Sequence, residues 1–174
     1  LKVGIDGVNK ENLNSLKELL KQIGVHSIFD YKYEDNSKEF KRNAEPTSQN
    51  LVKFSNFIKT NKLDIGLAVD PDVDRLSIID ERGNSIGEEF TLILCADYIL
   101  KQQKGSFVVN NSSSLLNKKI AEKNRVDFYQ TKVGESNVLD KMLKENSLIG
   151  GEGNGGVIIP DINRCRDALL ASSI

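Results

Sequence analysis

The stretch from residue 64 to residue 80, DIGLAVDPDVDRLSIID, places three aspartates between two apolar runs rich in β-branched residues. Such runs predict two β-strands joined by a short acidic loop. Asp70, Asp72 and Asp74 alternate along the loop, and alternate residues of an extended segment point in the same direction. Three unpaired carboxylates in one volume repel each other, and a hard divalent cation with oxygen ligands removes that repulsion. The sequence therefore predicts a Mg²⁺ site in this loop.

Arg75 directly follows the last of these aspartates. Its planar guanidinium would be a fixed cation beside the metal, and its geometry suits a phosphate oxygen. A plain polar hairpin loop is the alternative that these residues leave open, because short motifs give false positives. An EF-hand calcium loop is disfavoured, since its sixth position requires glycine and is Arg75 here, and since the flanking segments read as strands.

Composition and charge narrow the class of partner. The chain has 174 residues, a hydrophobic content of 39% and a net charge of −1, which is typical of an ordinary globular core. Dispersed lysines and glutamates create no basic field, so we expect neither nucleic acid nor a membrane as partner, but a small molecule. Cys95 and Cys165 form neither a C-x-x-C motif nor a disulfide-rich pattern, which favours the reducing cytoplasm.

Strands and helices alternate along the chain. Predicted strands cover 2–6, 26–31, 65–69, 76–80, 107–110, 127–130, 148–151 and 157–159, and predicted helices cover 11–23, 49–59, 90–103, 115–123 and 136–145, with a further helix at the C-terminal LLASSI. In both halves a strand, a loop with an acidic residue and a second strand come late. This repetition indicates two related α/β units that meet near residues 87–90. The chain begins without Met and stops within a helical pattern, so we expect it to be part of a longer protein.

A second informative loop is GGEGNGGVI, residues 150–158. Five glycines free the backbone for positive φ and for close approach of a ligand, while Glu152 and Asn154 can pair with hydroxyl groups. That chemistry suits a sugar. A flexible hairpin turn is the alternative, because a glycine-rich loop alone is a weak signal.

Taken together and in this order, several motifs resemble those of the α-D-phosphohexomutase superfamily, which includes phosphoglucomutase, phosphomannomutase and phosphoglucosamine mutase. DPDVDR is similar to the magnesium loop of these enzymes and GGEGNGG to their sugar-specificity loop. Further similar segments are VGIDGVN, RNAEPTSQNL, GESNVLDKM and RDALLAS. Asn154 and Gly156 stand where relatives often have Ser and His, so no acid or base role of that His is carried over.

The resemblance implies an α/β fold of two tandem related units with mixed β-sheets flanked by helices. Residues 1–88 would form the second family domain, with the metal-binding loop, and residues 89–174 the third, with the sugar-binding loop. The first and fourth domains, with the phosphoserine and the phosphate-gripping loop, lie outside this chain, which would therefore be inactive alone. The implied activity interconverts hexose 1-phosphate and 6-phosphate through a bisphosphate intermediate.

The resemblance also implies roles for individual residues. Mg²⁺ would bridge to the phosphoserine, and the sugar hydroxyls would be held by the glycine-rich loop. Lys132 would be a phosphate-side cation, although a solvated lysine explains it equally well. The implied ligands and contacts are Asp70, Asp72 and Asp74 for Mg²⁺, Arg75 and Lys132 for the transferring phosphate, and Glu152 and Asn154 for the sugar.

Two function classes compete with this interpretation. One is a phosphatase of the haloacid dehalogenase type with Asp70 as nucleophile, in which a D-x-D-x-T motif follows a strand. Asp74 stands where the threonine belongs, which disfavours it. The other is a non-catalytic module that binds metal and sugar, which would show binding without turnover.

Overall fold

The computed structural model describes residues 1–31 and 42–174, in which strands and helices alternate. The strands are β1 Lys2–Asp6, β2 Ser27–Asp30, β3 Ile65–Val69, β4 Leu76–Ile79, β5 Phe107–Asn110, β6 Phe128–Thr131, β7 Ile149–Glu152 and β8 Gly156–Ile158. The helices are α1 Lys10–Gln22, α2 Val52–Thr60, α3 Glu89–Gln102, α4 Leu116–Asn124, α5 Glu135–Lys144 and α6 Ala168–Ser173. The predicted elements are present, and their ends differ from the predicted ones by three residues at most.

The strands form two four-stranded sheets with the same topology, in the orders β2-β1-β3-β4 and β6-β5-β7-β8. In each sheet the first three strands are parallel, and the last strand returns antiparallel as the second arm of a hairpin. The predicted α/β class with two related units and mixed sheets is therefore confirmed. Parallel strands end at the same edge of a sheet. In the first sheet, one edge therefore carries the residues that follow β1 and β3. In the second sheet, one edge carries the residues that follow β5, β6 and β7.

Burial explains why the chain forms these layers. One large cluster of buried apolar side chains extends through both units, from Leu16 on α1 and Leu76 on β4 to Leu92 on α3 and Val157 on β8. A smaller cluster joins α2 to the first sheet, and another joins α5 to the second sheet. Since the largest cluster belongs to both sheets, burial of apolar surface holds the two units together.

Helix α6 is anchored against the loop between β3 and β4. Asp167 is the N-cap residue of the helix, and its carboxylate accepts a hydrogen bond from the Leu170 backbone N–H at 2.9 Å. The Ala168 backbone N–H donates to the Val73 carbonyl at 2.9 Å. These bonds fix Arg166, the residue before Asp167, beside the loop between β3 and β4.

In the two ranges that the structure describes, no helix combines the length and the apolar character that crossing a membrane requires.

Candidate functional site

Residues 70–75, here called the acidic hairpin loop, connect β3 to β4 and bring the three predicted aspartates together. One carboxylate oxygen from each of Asp70, Asp72 and Asp74 lies within 4.8 Å of the others. Asp70 is buried, Asp74 is half-buried and Asp72 is exposed, so the group opens to solvent on one side. Carboxylate oxygens with an open face for water suit a hydrated divalent cation.

The geometric reason that the sequence suggested for this convergence is wrong. The loop is not an extended segment, because Val73 has φ +60° and the chain turns there. Asp70 Oδ1 accepts hydrogen bonds from the backbone N–H groups of Asp74, at 3.0 Å, and Arg75, at 3.1 Å. The side-chain amide of Asn12 donates to the carbonyls of Asp70 and Pro71 at 3.0 Å each. The carboxylates therefore converge because the loop winds around Asp70.

The electrostatics of this loop favour a cation. Burial, with the neighbouring carboxylates of Asp74 and Asp72 adding to it, raises the pKa of Asp70 to about 7. Within the described ranges Asp74 Oδ1 is buried without a hydrogen-bond partner. A desolvated oxygen among like charges is unfavourable unless a positive charge compensates it. The donor set, the orphaned oxygen and the raised pKa together fit a hard divalent cation.

Arg75 lies at the rim of the acidic hairpin loop. Its Nη1 donates to Glu45 at 3.0 Å, and its Nε stands 3.7 Å from Asp70 Oδ2 and 3.6 Å from Asp74 Oδ1. The side chain is 26% exposed, so part of the guanidinium faces solvent. It can therefore contact a ligand without leaving the loop.

Glu152 ends β7, whereas the sequence had placed it in the following loop. The loop is shorter than predicted, since Glu152 pairs with Gly156 and only residues 153–155, here called the glycine hairpin loop, connect β7 to β8. Glu152 Oε1 accepts from Asn110 Nδ2 at 2.7 Å and from the Gly134 N–H at 3.1 Å. The side chain is 7% exposed, so it is largely buried at this edge of the sheet.

The other two predicted substrate contacts lie at the same edge of the second sheet. Asn154 is half-buried, and its Oδ1 accepts from the Gly156 N–H at 3.3 Å. Lys132 is exposed on the segment between β6 and α5, two residues before Gly134, whose N–H binds Glu152. The topology therefore places Lys132, Glu152 and Asn154 along one edge.

Arg166 connects the two hairpin loops, and sequence reasoning did not identify it as a site residue. It forms ion pairs with Asp74 of the acidic hairpin loop and with Glu152 at the end of β7, the latter at 2.8 Å. A third ion pair joins its Nε to Glu135 at 3.2 Å. The only sequence signal was its position as the first residue of RDALLAS, a segment noted for resemblance alone.

The backbones of the two hairpins also touch. The Leu76 N–H donates to the Gly155 carbonyl at 3.1 Å, and the Thr91 hydroxyl donates to the Leu76 carbonyl at 2.5 Å. Gly155 has φ +91° and approaches Leu76 so closely that a Cβ there would meet its carbonyl oxygen at 2.5 Å. The acidic and the glycine hairpin loops therefore lie side by side. The first contributes the aspartate carboxylates, and the second hairpin contributes the carboxylate of Glu152 and the amide of Asn154.

Two family models match the chain in tandem. Residues 1–83 match the phosphoglucomutase/phosphomannomutase α/β/α domain II, and residues 87–173 match α/β/α domain III. Over 173 residues the chain is 35% identical to a phosphoglucomutase/phosphomannomutase of Thermococcus kodakarensis, and over 175 residues 31% identical to a phosphoglucosamine mutase of Clostridium tetani. These alignments cover 98% and 99% of the chain but 38% of each relative, so the chain spans well under half the length of these curated relatives.

Solved structures share the fold. A crystal structure described as a phosphomannomutase from Thermus thermophilus superposes with a TM-score of 0.88 at 24% identity, covering 98% of this chain and 40% of that one. An N-acetylphosphoglucosamine mutase of Aspergillus fumigatus, solved with GlcNAc-6P and magnesium, superposes with a TM-score of 0.60 at 15% identity, covering 99% of this chain and 40% of that one. Because the two family models between them match nearly every residue, the chain belongs to the phosphoglucomutase/phosphomannomutase family and carries its domains II and III.

Proposed function

We propose that this chain forms the metal- and hexose-binding centre of a phosphohexomutase, which interconverts hexose 1-phosphate and hexose 6-phosphate. The observation that carries the proposal is the convergence of three carboxylates within 4.8 Å, in a family member, on a hairpin whose Leu76 contacts the glycine hairpin loop. The partners are then a hexose phosphate and the flanking domains that the longer relatives contain. We place the boundary between the two domains between residues 88 and 89, where α3 begins.

The metal of this centre would be Mg²⁺, held by Asp70, Asp72 and Asp74. When bound, it would neutralise charge on a phosphoryl group, which is the main requirement of phosphoryl transfer besides positioning. The aspartates offer one oxygen each and leave the exposed side, next to Asp72, for a phosphate and water. The orphaned Asp74 Oδ1 and the raised pKa of Asp70 support a cation at this place.

The remaining predicted residues would bind the substrate. Arg75 would hold oxygens of the transferring phosphoryl group, since its guanidinium already stands at the rim of the carboxylate group. Lys132, exposed at the edge of the second sheet, would be a second cation for the transferring phosphate. Glu152 would accept hydrogen bonds from sugar hydroxyls, and the side-chain NH₂ of Asn154 would donate to them.

The reaction requires a phosphoserine from a flanking domain. That group would pass its phosphoryl to one end of the hexose monophosphate, and the bisphosphate would turn over and return the other phosphoryl to the serine. The chain described here would contribute charge neutralisation and orientation to both transfers. Relatives named phosphoglucomutase/phosphomannomutase and phosphoglucosamine mutase both match, so the proposed substrates are phosphates of glucose, mannose and glucosamine. We place the enzyme in the cytoplasm, where its unpaired Cys95 and Cys165 stay reduced.

A haloacid dehalogenase-type phosphatase has less support. Its nucleophile would be Asp70, whose Oδ1 is occupied by two backbone N–H groups and which is only 5% exposed. A nucleophilic carboxylate must reach the phosphorus atom of its substrate. A non-catalytic module would bind the same ligands without turnover. An activity assay of the full-length parent protein distinguishes this module from a mutase.

Metal binding tests the centre directly. Wild-type chain should bind Mn²⁺ or Mg²⁺ with millimolar or tighter affinity, and Asp72→Asn should weaken binding about ten-fold because one charged ligand is lost. Asp72 is exposed, so the substitution leaves the core intact. Isothermal titration calorimetry and Mn²⁺ electron paramagnetic resonance measure the change, with Asp161→Asn at another exposed aspartate as the matched control. Equal affinity of Asp72→Asn and wild type would refute the metal assignment.

A further inference from the structure

We infer that Arg166 is a positioning residue that couples the geometry of the metal ligand Asp74 to that of Glu152. The inference deepens the proposed function and depends on it. It concerns a residue outside both hairpin loops, whose guanidinium pairs with carboxylates of both units.

Arg166 uses each of its three guanidinium nitrogens for a carboxylate from a different segment. Nη2 pairs with Asp74 Oδ2, Nη1 with Glu152 Oε2 at 2.8 Å, and Nε with Glu135 Oε2 at 3.2 Å. Its backbone N–H also donates to Glu135 Oε1 at 2.8 Å. The Arg166 side chain is 14% exposed, so these charges compensate each other largely out of water.

The contact with Asp74 determines which of its two oxygens would be available to a cation. Arg166 occupies Oδ2, and Oδ1 is thereby left 3.6 Å from Arg75 Nε, among the carboxylates of the acidic hairpin loop. Without the contact, the carboxylate of Asp74 could rotate towards Arg75, whose Nε lacks a hydrogen-bond partner within the described residues. Arg166 therefore keeps one oxygen of Asp74 available as a ligand.

The same guanidinium fixes Glu152 in the second unit. Glu152 Oε1 is occupied by Asn110 and Gly134, so Arg166 determines the position of Oε2. Any shift of Asp74 when a cation binds is transmitted to Glu152 through one rigid planar group. Lysine cannot reproduce this, because an ammonium is a single point charge whereas the guanidinium has a fixed fork of nitrogens.

The test is Arg166→Lys, which preserves the charge and removes the fork. We expect Mn²⁺ affinity, measured by electron paramagnetic resonance on the 174-residue chain, to fall about ten-fold, the effect typical of groups that orient metal ligands. Arg164→Lys, at an exposed arginine two residues earlier, is the matched control and should bind Mn²⁺ like wild type. Circular dichroism and thermal unfolding establish that each variant is folded.

A second variant keeps the inference falsifiable if Arg166→Lys does not fold. Glu135→Gln removes one arm of the network and should weaken Mn²⁺ binding two- to three-fold, although Glu135 belongs to the other unit. Glu145→Gln removes a glutamate that pairs with Lys141 at the far end of the same helix, and should leave the affinity unchanged.

A spectroscopic measurement separates coupling from general loss of stability. Titration with Mg²⁺ should shift the amide resonance of Gly134, which donates to Glu152, in wild type but not in Arg166→Lys. Failure of wild-type chain to bind Mn²⁺ would overturn the metal centre and the coupling with it. Normal Mn²⁺ binding by wild type, Arg166→Lys and Glu135→Gln alike would overturn the positioning role alone, and leave the metal centre standing.

Discussion

The two hairpins β3–β4 and β7–β8 occupy the same place in two sheets of identical strand order, yet they carry different chemistry. In the first sheet six residues separate the paired Val69 and Leu76, and in the second sheet three residues separate the paired Glu152 and Gly156. The longer loop winds around Asp70 and gathers charge. The shorter loop carries two glycines and lies close to its neighbour. The shared strand order therefore fixes where each hairpin lies in its sheet. The length and composition of each loop decide which chemical groups it carries.

The two loops also tolerate backbone strain differently. In the acidic hairpin loop a β-branched residue, Val73, adopts φ +60°, a conformation that is unfavourable for a side chain branched at Cβ. In the glycine hairpin loop the positive φ falls on Gly155, for which it carries no steric penalty. The carbonyl of Val73 accepts from Ala168, so a contact between the units holds the strained residue in place. The contacts between the loops are therefore part of what shapes each loop.

The largest effect is expected where the two hairpins touch. Gly155→Ala should lower the free energy of unfolding by about 3 kcal/mol, because it adds an unfavourable positive φ and a Cβ that meets a backbone carbonyl. Gly24→Ala is the matched control, since Gly24 has the same φ of +91° and nothing within 4 Å of its Cβ position. It should lose only about 1 kcal/mol. Urea denaturation of both variants measures the difference, and equal losses would show that the hairpins have room to separate.

A smaller effect is expected at the carboxylate of the second hairpin. Glu152→Gln in the full-length parent enzyme should lower kcat/KM about ten-fold or more, because the charged hydrogen bond that we propose between Glu152 and a sugar hydroxyl would be lost. The substitution preserves the shape of a side chain that is 7% exposed. Steady-state kinetics with hexose phosphate measure the change, and Glu145→Gln provides a control on the same domain. Unchanged kcat/KM with a reduced melting temperature would assign Glu152 a purely structural role.

The elements of the fold were predictable because each carries its signal locally. The run IGLAV is apolar and β-branched, and it forms β3 at the predicted residues 65–69. The helical spacing of Leu13, Leu16 and Leu20 gives α1, in which the last two are buried. In each case the pattern of one short segment decides which face is buried.

The contacts that assemble the site were not predictable, because they join distant parts of the chain. Arg166 meets Asp74 across 92 residues of sequence, and nothing near either residue specifies the other. The turn at Val73 was missed because a β-branched residue between apolar strands favours an extended conformation. The three aspartates lie close together as the sequence predicted, while the winding that brings them together depends on backbone hydrogen bonds to Asp70 that a sequence pattern does not reveal.

The smallest effect is expected at Asp97, whose carboxylate lies among positive charges. The aspartates of the acidic hairpin loop lie instead among like charges. Lys101 above all, with Lys123 and Asn124, lowers the pKa of Asp97 from its ordinary value of 3.8 to about 2, while the pKa of Asp70 is raised to about 7. Asp97 thus favours the folded state when ionised. This contribution is complete above about pH 4 and is lost as the pH falls from there towards 2. Because the side chain is partly exposed and screened by salt, we expect Asp97→Asn to destabilise by about 1 kcal/mol at pH 7.

The pH dependence of this loss identifies its cause. Urea denaturation of wild type and Asp97→Asn at pH 7, 4 and 3 should give a difference that holds down to pH 4 and begins to shrink below it. Added salt at 1 M, roughly the concentration at which the screening length falls to about 3 Å, should reduce the difference at pH 7. Asp140→Asn, at an exposed aspartate of α5, should show little change at any of these pH values. A loss for Asp97→Asn that is constant over pH and salt would mean that packing of the side chain matters at this position, and that the contrast between the two aspartates is not one of charge.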